Sequence, residues 1–356
     1  MPKSDDTLDI SDLIDQPLPG PSLAEDTASM PVVDRCEEEH CSDSDASAEI
    51  DEDDEEEMHV KSQREKCKAA QQSPEYEKVT PREISKWSFE VQLEGEGTYE
   101  CSATGLVFEV SEQALVRYSV LSWSEFSEFL EDSWKPAGSI YDVDVEDPSL
   151  LKFIHFPHSL CLDESGHEMS FSVLHVNGSD ANIDPTVDYT ASHVKWRVSS
   201  LSPTGPIIPR PQHVKHDGAV LLYKDQDYQE KFCLHVILAL NSHSEFKAIE
   251  EQVRSSGKNL MSIYKSVDCT LEGTVYHLTS KPEGEITPPH LEFRTQPVAS
   301  KGFFEAIFDQ PPTFELFLKD SDSVQKWTAK ITKVDWERKE EPGSRKITKG
   351  ITSHVS

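Results

Sequence analysis

Between Trp87 and Trp336, apolar and polar residues alternate in short runs that turn residues separate. The first run is WSFEVQLEGEGTYECSATGLVFEVSEQALVRYSVL, and later ones include FIHFPHSLCL, GAVLLYK and PTFELFLKD. Successive side chains of a strand point to opposite faces, so the alternation predicts strands with one buried face. Many short strands at this spacing are typical of a β-sandwich, and the sequence has no internal repeat.

One segment, SEFKAIEEQVRSSG at residues 244–257, breaks the alternation. Its apolar residues Phe246, Ile249 and Val253 recur at helical spacing. We expect Ser244 to cap this helix and Gly257 to end it. The body is therefore predicted to be mainly β with one clear short helix.

The residues on either side of this body have a different composition. The 356-residue chain has a net charge of −32, and residues 37–57 alone hold 13 acidic residues and no Lys or Arg. Such a block repels itself and cannot bury a core, so residues 1–85 are predicted to be a disordered acidic tail. An alternative for residues 6–18 is a short docking helix that forms on binding. Residues 339–356 are charged and predicted to be flexible.

Composition also limits the partners and the compartment. The acidity argues against nucleic acid, because phosphate binding needs a basic patch. No run of about 20 apolar residues predicts a membrane span, and MPKSDDTLDI has no signal-peptide features. Seven scattered cysteines without a CxxC pair then indicate reduced thiols in a cytoplasmic protein.

No motif in the sequence calls for a cofactor or a metal. Cys36, His40 and Cys41 lie close together, but inside the acidic tract and with no second ligand cluster, so no zinc site is predicted. The sequence has no phosphate loop, no GxSxG elbow and no HExxH helix, which leaves a conventional enzyme without support. We expect neither cofactor nor metal.

Histidines and serines are the remaining candidates for chemistry. A Ser–His device needs an imidazole close in space to a hydroxyl. Ser172 lies within a predicted strand, whereas Ser202 ends one and precedes Pro203, where exposure and backbone strain favour reactivity. The residues alone leave both serines open as nucleophiles.

The sequence SFSVLHV…HVKWRVSSLSPTG…GAVLLYKDQDYQEKFCLHVILALNSHSEFKAIEE resembles the FIIND ("function to find") domain of inflammasome-forming NOD-like receptors and their CARD-bearing relative. GLVFEV and IHFPHSLCL resemble its first, ZU-type module, and the sequence from GAVLLYK onward resembles its second, the UPA module. The resemblance implies a ZU-like module at residues 86–201 and a UPA-like module at 202–338, both sandwich-like.

The resemblance also implies that the chain cuts itself between the two modules. Family members are cut within Ser-Phe-Ser, usually followed by proline, and the serine after the bond is the nucleophile. The matching bond lies between Leu201 and Ser202, and the matching general base is His175, 27 residues earlier. Asp184 is a candidate to orient that histidine, and Ser172 is then a decoy. Leu201 replaces the family phenylalanine, which changes packing but no reacting group.

Two functions follow from the resemblance. The first is a self-processing signalling module that acts only on itself, whose UPA fragment stays attached non-covalently until its release and then self-associates. The second is a non-catalytic regulator or decoy that pairs through its UPA domain with CARD-bearing FIIND receptors, or binds dipeptidyl peptidases. Leu201 and the absence of nucleotide-binding, leucine-rich and CARD sequences suggest the second, since about 20 residues after Trp336 are too few for a six-helix domain.

Overall fold

The computed structural model describes residues 76–130, 133–162, 169–210, 214–228, 231–297, 300–310 and 313–337. These residues are mainly β, as the alternation predicts. The acidic tract with Cys36, His40 and Cys41 lies outside the described residues, and so do residues 339–356.

The first module has two sheets. One has the strand order β1 (Glu77–Val79), β4 (Gly97–Cys101), β5 (Val107–Val110), β9 (Leu151–Pro157), β14 (His193–Arg197) and β13 (Asp188–Tyr189). The other has the order β12 (Asp180–Pro185), β11 (Ser172–Asn177), β15 (Thr204–Pro209), β8 (Tyr141–Val145), β6 (Ala114–Val120), β3 (Ser88–Leu93) and β2 (Arg82–Ser85), and β7 (Trp134–Pro136) also pairs with β15. Two short 3-10 helices, Trp123–Phe129 and Pro148–Leu150, lie in the connections.

The start of this module corrects one sequence-based boundary. Residues 77–85, predicted to belong to the tail, form β1 and β2. β2 pairs with β3, and Arg82 and Arg117 both bind the Glu90 carboxylate across the sheet surface. The pairing was missed because every residue of β2 is exposed, so REIS shows no alternation of apolar residues.

The two sheets of the first module bury a common core. Phe108 and Trp196 come from the first sheet, and Tyr118 and Tyr141 from the second. In β6 the burial follows the period-2 pattern, with Tyr118 inside and Arg117 exposed. Apolar burial of this kind contributes about 25 cal/mol per Å² and is the main driving force for the sandwich.

The second module has a similar layered arrangement. Its larger sheet has the order β10 (Leu160–Cys161), β16 (Lys215–Asp225), β17 (Phe232–Leu240), β22 (Phe304–Phe308) and β20 (Glu285–Thr287), and β18 (Leu260–Leu271) also pairs with β16. The smaller sheet has the order β21 (Leu291–Glu292), β19 (Val275–Lys281), β23 (Phe314–Asp320) and β24 (Gln325–Ile331). Helix α1 (His243–Ser255) covers the outer face of β16 and β17, and the short α2 (Lys333–Glu337) follows β24.

Helix α1 occupies the predicted segment, but its cap differs from the prediction. Ser242, not Ser244, is the N-cap, and its hydroxyl accepts a hydrogen bond from the Glu245 amide at 3.3 Å. Phe246 and Ile249 are buried, as their spacing predicts. Gly257 follows the helix with φ +71°, the left-handed conformation that glycine adopts without strain.

Ser244 instead joins the two modules. Its hydroxyl accepts a hydrogen bond from the Ile140 amide at 2.9 Å, and its own amide donates to Ser139 Oγ at 3.2 Å. Elsewhere along this contact, β10 of the first module pairs with β16 of the second, with Leu160 opposite His216. Backbone hydrogen bonds therefore tie the modules together directly.

Buried histidines with lowered pKa values make the fold sensitive to acid. Burial lowers the pKa of His155 and His158 to about 4 and that of His216 to about 3, from 6.5. The unfolded chain therefore binds more protons than the folded chain at pH values below 6.5. The stabilisation is complete above that pH and falls by about 1.4 kcal/mol per histidine for each pH unit below it, down to the folded-state pKa.

We therefore expect the urea midpoint of unfolding to fall steeply as the pH decreases from about 6.5 to 5. His158→Gln should show a shallower fall, because glutamine does not titrate and the contribution of His158 is lost. Urea curves at successive pH values measure both slopes. A midpoint that stays constant over this range would contradict the prediction.

Candidate active site

The segment Ser200–Leu201–Ser202 lies where the chain passes from one sheet of the first module to the other. β14, before it, belongs to the first sheet, and β15, after it, belongs to the second. β15 pairs antiparallel with β11, which places Thr204 opposite His175, and the Val176 amide donates to the Pro203 carbonyl at 2.9 Å. The pairing thus brings the predicted histidine next to the predicted scissile bond.

Asp184 reaches the same histidine from the other side. It lies on β12, the neighbour of β11, and its Oδ2 is 3.6 Å from His175 Nδ1. The same oxygen accepts hydrogen bonds from Trp196 Nε1 at 3.1 Å and from Ser199 Oγ at 3.5 Å. The Trp196 ring meets the His175 ring edge-on, with centroids 5.5 Å apart. The Asp184 carboxylate and the Trp196 ring therefore position the His175 imidazole.

The hydroxyl that meets His175 is not the predicted one. His175 Nε2 is 3.2 Å from Ser200 Oγ, whereas Ser202 Oγ is buried and has no hydrogen-bond partner among the described residues. A buried hydroxyl without a partner costs about 1–3 kcal/mol. The structure thus brings His175, Asp184 and the Ser200–Ser202 segment together, but it pairs the imidazole with Ser200.

Sequence reasoning missed Ser200. The available signal was its position two residues before Ser202, in the same connection between β14 and β15. No local sequence pattern separates the two serines. Ser172, the other serine considered, lies on β11 opposite Ile207.

The Leu201 side chain is half-buried and packs against the core of the first module. The residue whose carbonyl would be attacked is therefore anchored between two serines.

Gly205 holds β15 close to its neighbours. A Cβ at this position would lie 2.8 Å from Trp123 Cζ2 and 2.9 Å from Ile140 Cα. We expect Gly205→Ala to lower the free energy of unfolding by about 1–3 kcal/mol, since one of these atoms belongs to the backbone. Urea unfolding measures this, with Gly95→Ala as a matched control because no atom lies within 4 Å of its added Cβ. Equal stabilities of the two variants would contradict the prediction.

The chain matches two family models that divide it in the same order as its modules. The model described as "Function to find", FIIND, matches residues 82–214, and that of the UPA-FIIND domain matches residues 216–331. The chain therefore contains a FIIND domain followed by a UPA-FIIND domain. The Leu201–Ser202 bond lies inside the FIIND match, which also includes β15. The module boundary predicted at this bond stays a prediction, since β15 pairs with strands of the first module.

Curated relatives carry further domains in their names. NACHT, LRR and PYD domains-containing protein 1b allele 5 of mouse is 25% identical over 210 residues, which are 57% of this chain and 18% of the relative. NACHT, LRR and PYD domains-containing protein 1a allele 1 of rat is 25% identical over 226 residues, 62% of this chain and 18% of the relative. The FIIND chain thus matches less than a fifth of each of these relatives. In the part of the chain that the structure describes, none of the helices has the length and apolar character needed to cross a membrane.

Proposed function

We propose that this FIIND is a self-processing module of inflammasome-type signalling in the cytoplasm, which cuts its own chain between Leu201 and Ser202. One observation carries the proposal: His175, backed by Asp184, lies beside a turn in which the Ser202 hydroxyl is buried without a partner among the described residues. The FIIND match and the relatives named above support a function in inflammasome-type signalling.

The reaction needs only groups of this chain and water. Ser202 Oγ attacks the Leu201 carbonyl carbon while His175 takes the hydroxyl proton. The C–N bond then breaks, the proton passes to the leaving nitrogen, and Leu201 is held as an ester on Ser202. Water hydrolyses the ester, which leaves a carboxylate at Leu201 and a free amine and hydroxyl at Ser202. The chain reacts once, with no external substrate.

Before this reaction, the His175 imidazole has to break its contact with the Ser200 hydroxyl and form one with the Ser202 hydroxyl. In the structure its Nε2 contacts Ser200, and the Nδ1–Asp184 distance of 3.6 Å is longer than a strong hydrogen bond. Contacts of catalytic groups often tighten only when the reacting geometry forms. Ser202 Oγ has no hydrogen-bond partner among the described residues, so its rotation toward the Leu201 carbonyl breaks none of their contacts.

The fragments are expected to stay together after the cut. β15 begins two residues after Ser202 and pairs with β11, β8 and β7, which all precede the cut. The contacts of Ser244 with Ser139 and Ile140 also join the two sides. The UPA fragment would therefore remain attached until the N-terminal fragment is degraded, and then self-associate or pair with other FIIND or UPA proteins.

Intact mass of the purified full chain tests the proposal. We expect two polypeptides on a denaturing gel, co-elution of both on a native sizing column, and a new N-terminus at Ser202. Incubation with inhibitors of all protease classes excludes contaminating enzymes. A single species of 40.1 kDa that persists through prolonged incubation would overturn the proposal.

The contact between His175 and Ser200 favours a second candidate, a non-catalytic regulatory module. In that function the uncut chain pairs through its UPA module with FIIND receptors or binds dipeptidyl peptidases. Co-purification of an uncut chain with a CARD-bearing FIIND protein or a dipeptidyl peptidase would support it. Failure to bind either class would count against it.

A further inference from the structure

A group of metal-ligand side chains lies in the second module, away from Ser202. Asp225 at the end of β16 lies opposite Cys233 on β17. His235, two residues further along β17, lies on the same face as Cys233, and Glu305 of β22 is opposite His235. Three neighbouring strands thus present four potential ligands on one face of the sheet.

The donor atoms are close enough to share one ion. A ligand atom from each of Asp225, Cys233 and His235 lies within 4.8 Å of the other two, and all three residues are buried. His235 Nε2 is 3.8 Å from Asp225 Oδ2 and 3.4 Å from Glu305 Oε1. Around tetrahedral zinc, with bonds of about 2.0–2.2 Å to nitrogen and oxygen, two such donors lie about 3.3 Å apart.

The orientation of the ligands is already set by their surroundings. Asp225 Oδ1 accepts a hydrogen bond from the Asp227 amide at 3.0 Å, while Oδ2 faces the cluster. The His235 ring stacks on Phe303 with centroids 4.3 Å apart and planes at 9°. Fixed ligand orientation of this kind is what surrounding groups provide in metal sites.

A cation already lies among these atoms. Lys258 Nζ is 3.3 Å from His235 Nε2, 3.2 Å from Glu305 Oε1 and 3.8 Å from Asp225 Oδ2. The Lys258 side chain is 41% exposed, so it can leave toward solvent on its flexible stem.

We propose that Asp225, Cys233, His235 and Glu305 form a zinc(II) site in which the metal displaces the Lys258 ammonium. A thiolate, an imidazole and carboxylates are ligands that zinc accepts together. The Cys233 thiol releases its proton to water when the metal binds. With lysine in place, two carboxylates and one ammonium give the cluster a charge of about −1. With zinc bound, the metal's charge of +2 and the three negative charges of two carboxylates and a thiolate give the same total of about −1. The bound metal would link β16, β17 and β22.

Cobalt(II) titration of the full chain, followed by competition with zinc, tests the site. Cys36→Ser and Cys41→Ser are made first, so that the thiols of the acidic tract do not contribute to the cobalt spectrum. We expect one cobalt per chain with a thiolate-to-cobalt charge-transfer band, which zinc abolishes. Cys233→Ser should remove the band, and the matched control Cys269→Ser, at a buried cysteine of the same module, should keep it.

Lys258→Met provides a test that does not depend on damaging a ligand. Removing the competing ammonium should tighten metal binding at least about tenfold. A chain that shows no charge-transfer band, a band that survives Cys233→Ser, or a Lys258→Met variant that binds no tighter would each overturn the proposal. Far-UV circular dichroism confirms that each variant is folded. The outcome is separate from that of the cleavage experiments, which do not involve this cluster.

Discussion

Replacing Ser202 by alanine is expected to leave the chain as a single polypeptide, with cleavage slowed at least about 1,000-fold. The substitution removes only Oγ, the atom that would attack the Leu201 carbonyl. That oxygen has no hydrogen-bond partner among the described residues, so its removal leaves no other group unpaired. The free energy of unfolding should therefore not decrease. A time course by denaturing gel and intact mass, together with urea unfolding, measures both effects.

Ser200→Ala is the matched control for this substitution. It removes the hydroxyl that contacts His175 Nε2 in the structure but leaves the Leu201–Ser202 bond and its nucleophile in place. We expect this variant to be cut at the same bond. If it stays intact while Ser202→Ala is cut, Ser200 is the nucleophile and the bond broken lies before it. N-terminal sequencing of the second fragment distinguishes the two sites.

His175→Gln is expected to slow cleavage about 100- to 10,000-fold, the usual contribution of a positioned general base. Glutamine retains polar atoms near Ser200 and a similar volume, but it cannot accept and return the proton. The His175 side chain is only 3% exposed, so some loss of stability is also expected. Single-turnover rates, measured after refolding from denaturant, separate the chemical step from folding yield.

His193→Gln serves as the control for loss of a buried histidine. His193 begins β14 in the first sheet, and its Nε2 lies 2.8 Å from the Gly105 carbonyl oxygen. It takes no part in the proposed reaction. It should lose stability but keep cleavage. Wild-type rates in His175→Gln would refute the role of this histidine, and equal losses in both variants would show that cleavage reports only folding.

Much of the fold follows from local patterns. The period-2 alternation that predicts strands is visible in β6 and β8, where one face is buried and the other is exposed. The helix at 243–255 follows from the spacing of Phe246 and Ile249. Local patterns fail where a partner decides the structure: the exposed β2 was missed, and Ser244 bonds to Ile140 across the modules instead of capping its helix.

For the active-site candidates too, the sequence identifies some residues and strand pairing decides the contacts between them. Composition does not distinguish Ser172 from Ser202; the resemblance of SSLSP and VLHV to a known family does. The contact between Asp184 and His175 depends on the pairing of β11 with β12, and the contact with Ser200 depends on the pairing of β11 with β15. Neither pairing can be derived from strand signals, because alternation predicts which face a residue occupies but not which strand lies beside it.

The sequence by itself determined the strand-rich architecture, the position of the main helix, and the identity of the serine and histidine proposed to react. The tertiary structure alone decided that Ser200 contacts His175, that β15 belongs to the upstream sheet, that Asp225 lies beside Cys233 and His235, and that Glu305 contacts His235. The physical reason is the range of the interactions. Side-chain periodicity is a local property of the chain, whereas strand register is set by the burial of surfaces that residues far apart in sequence create together.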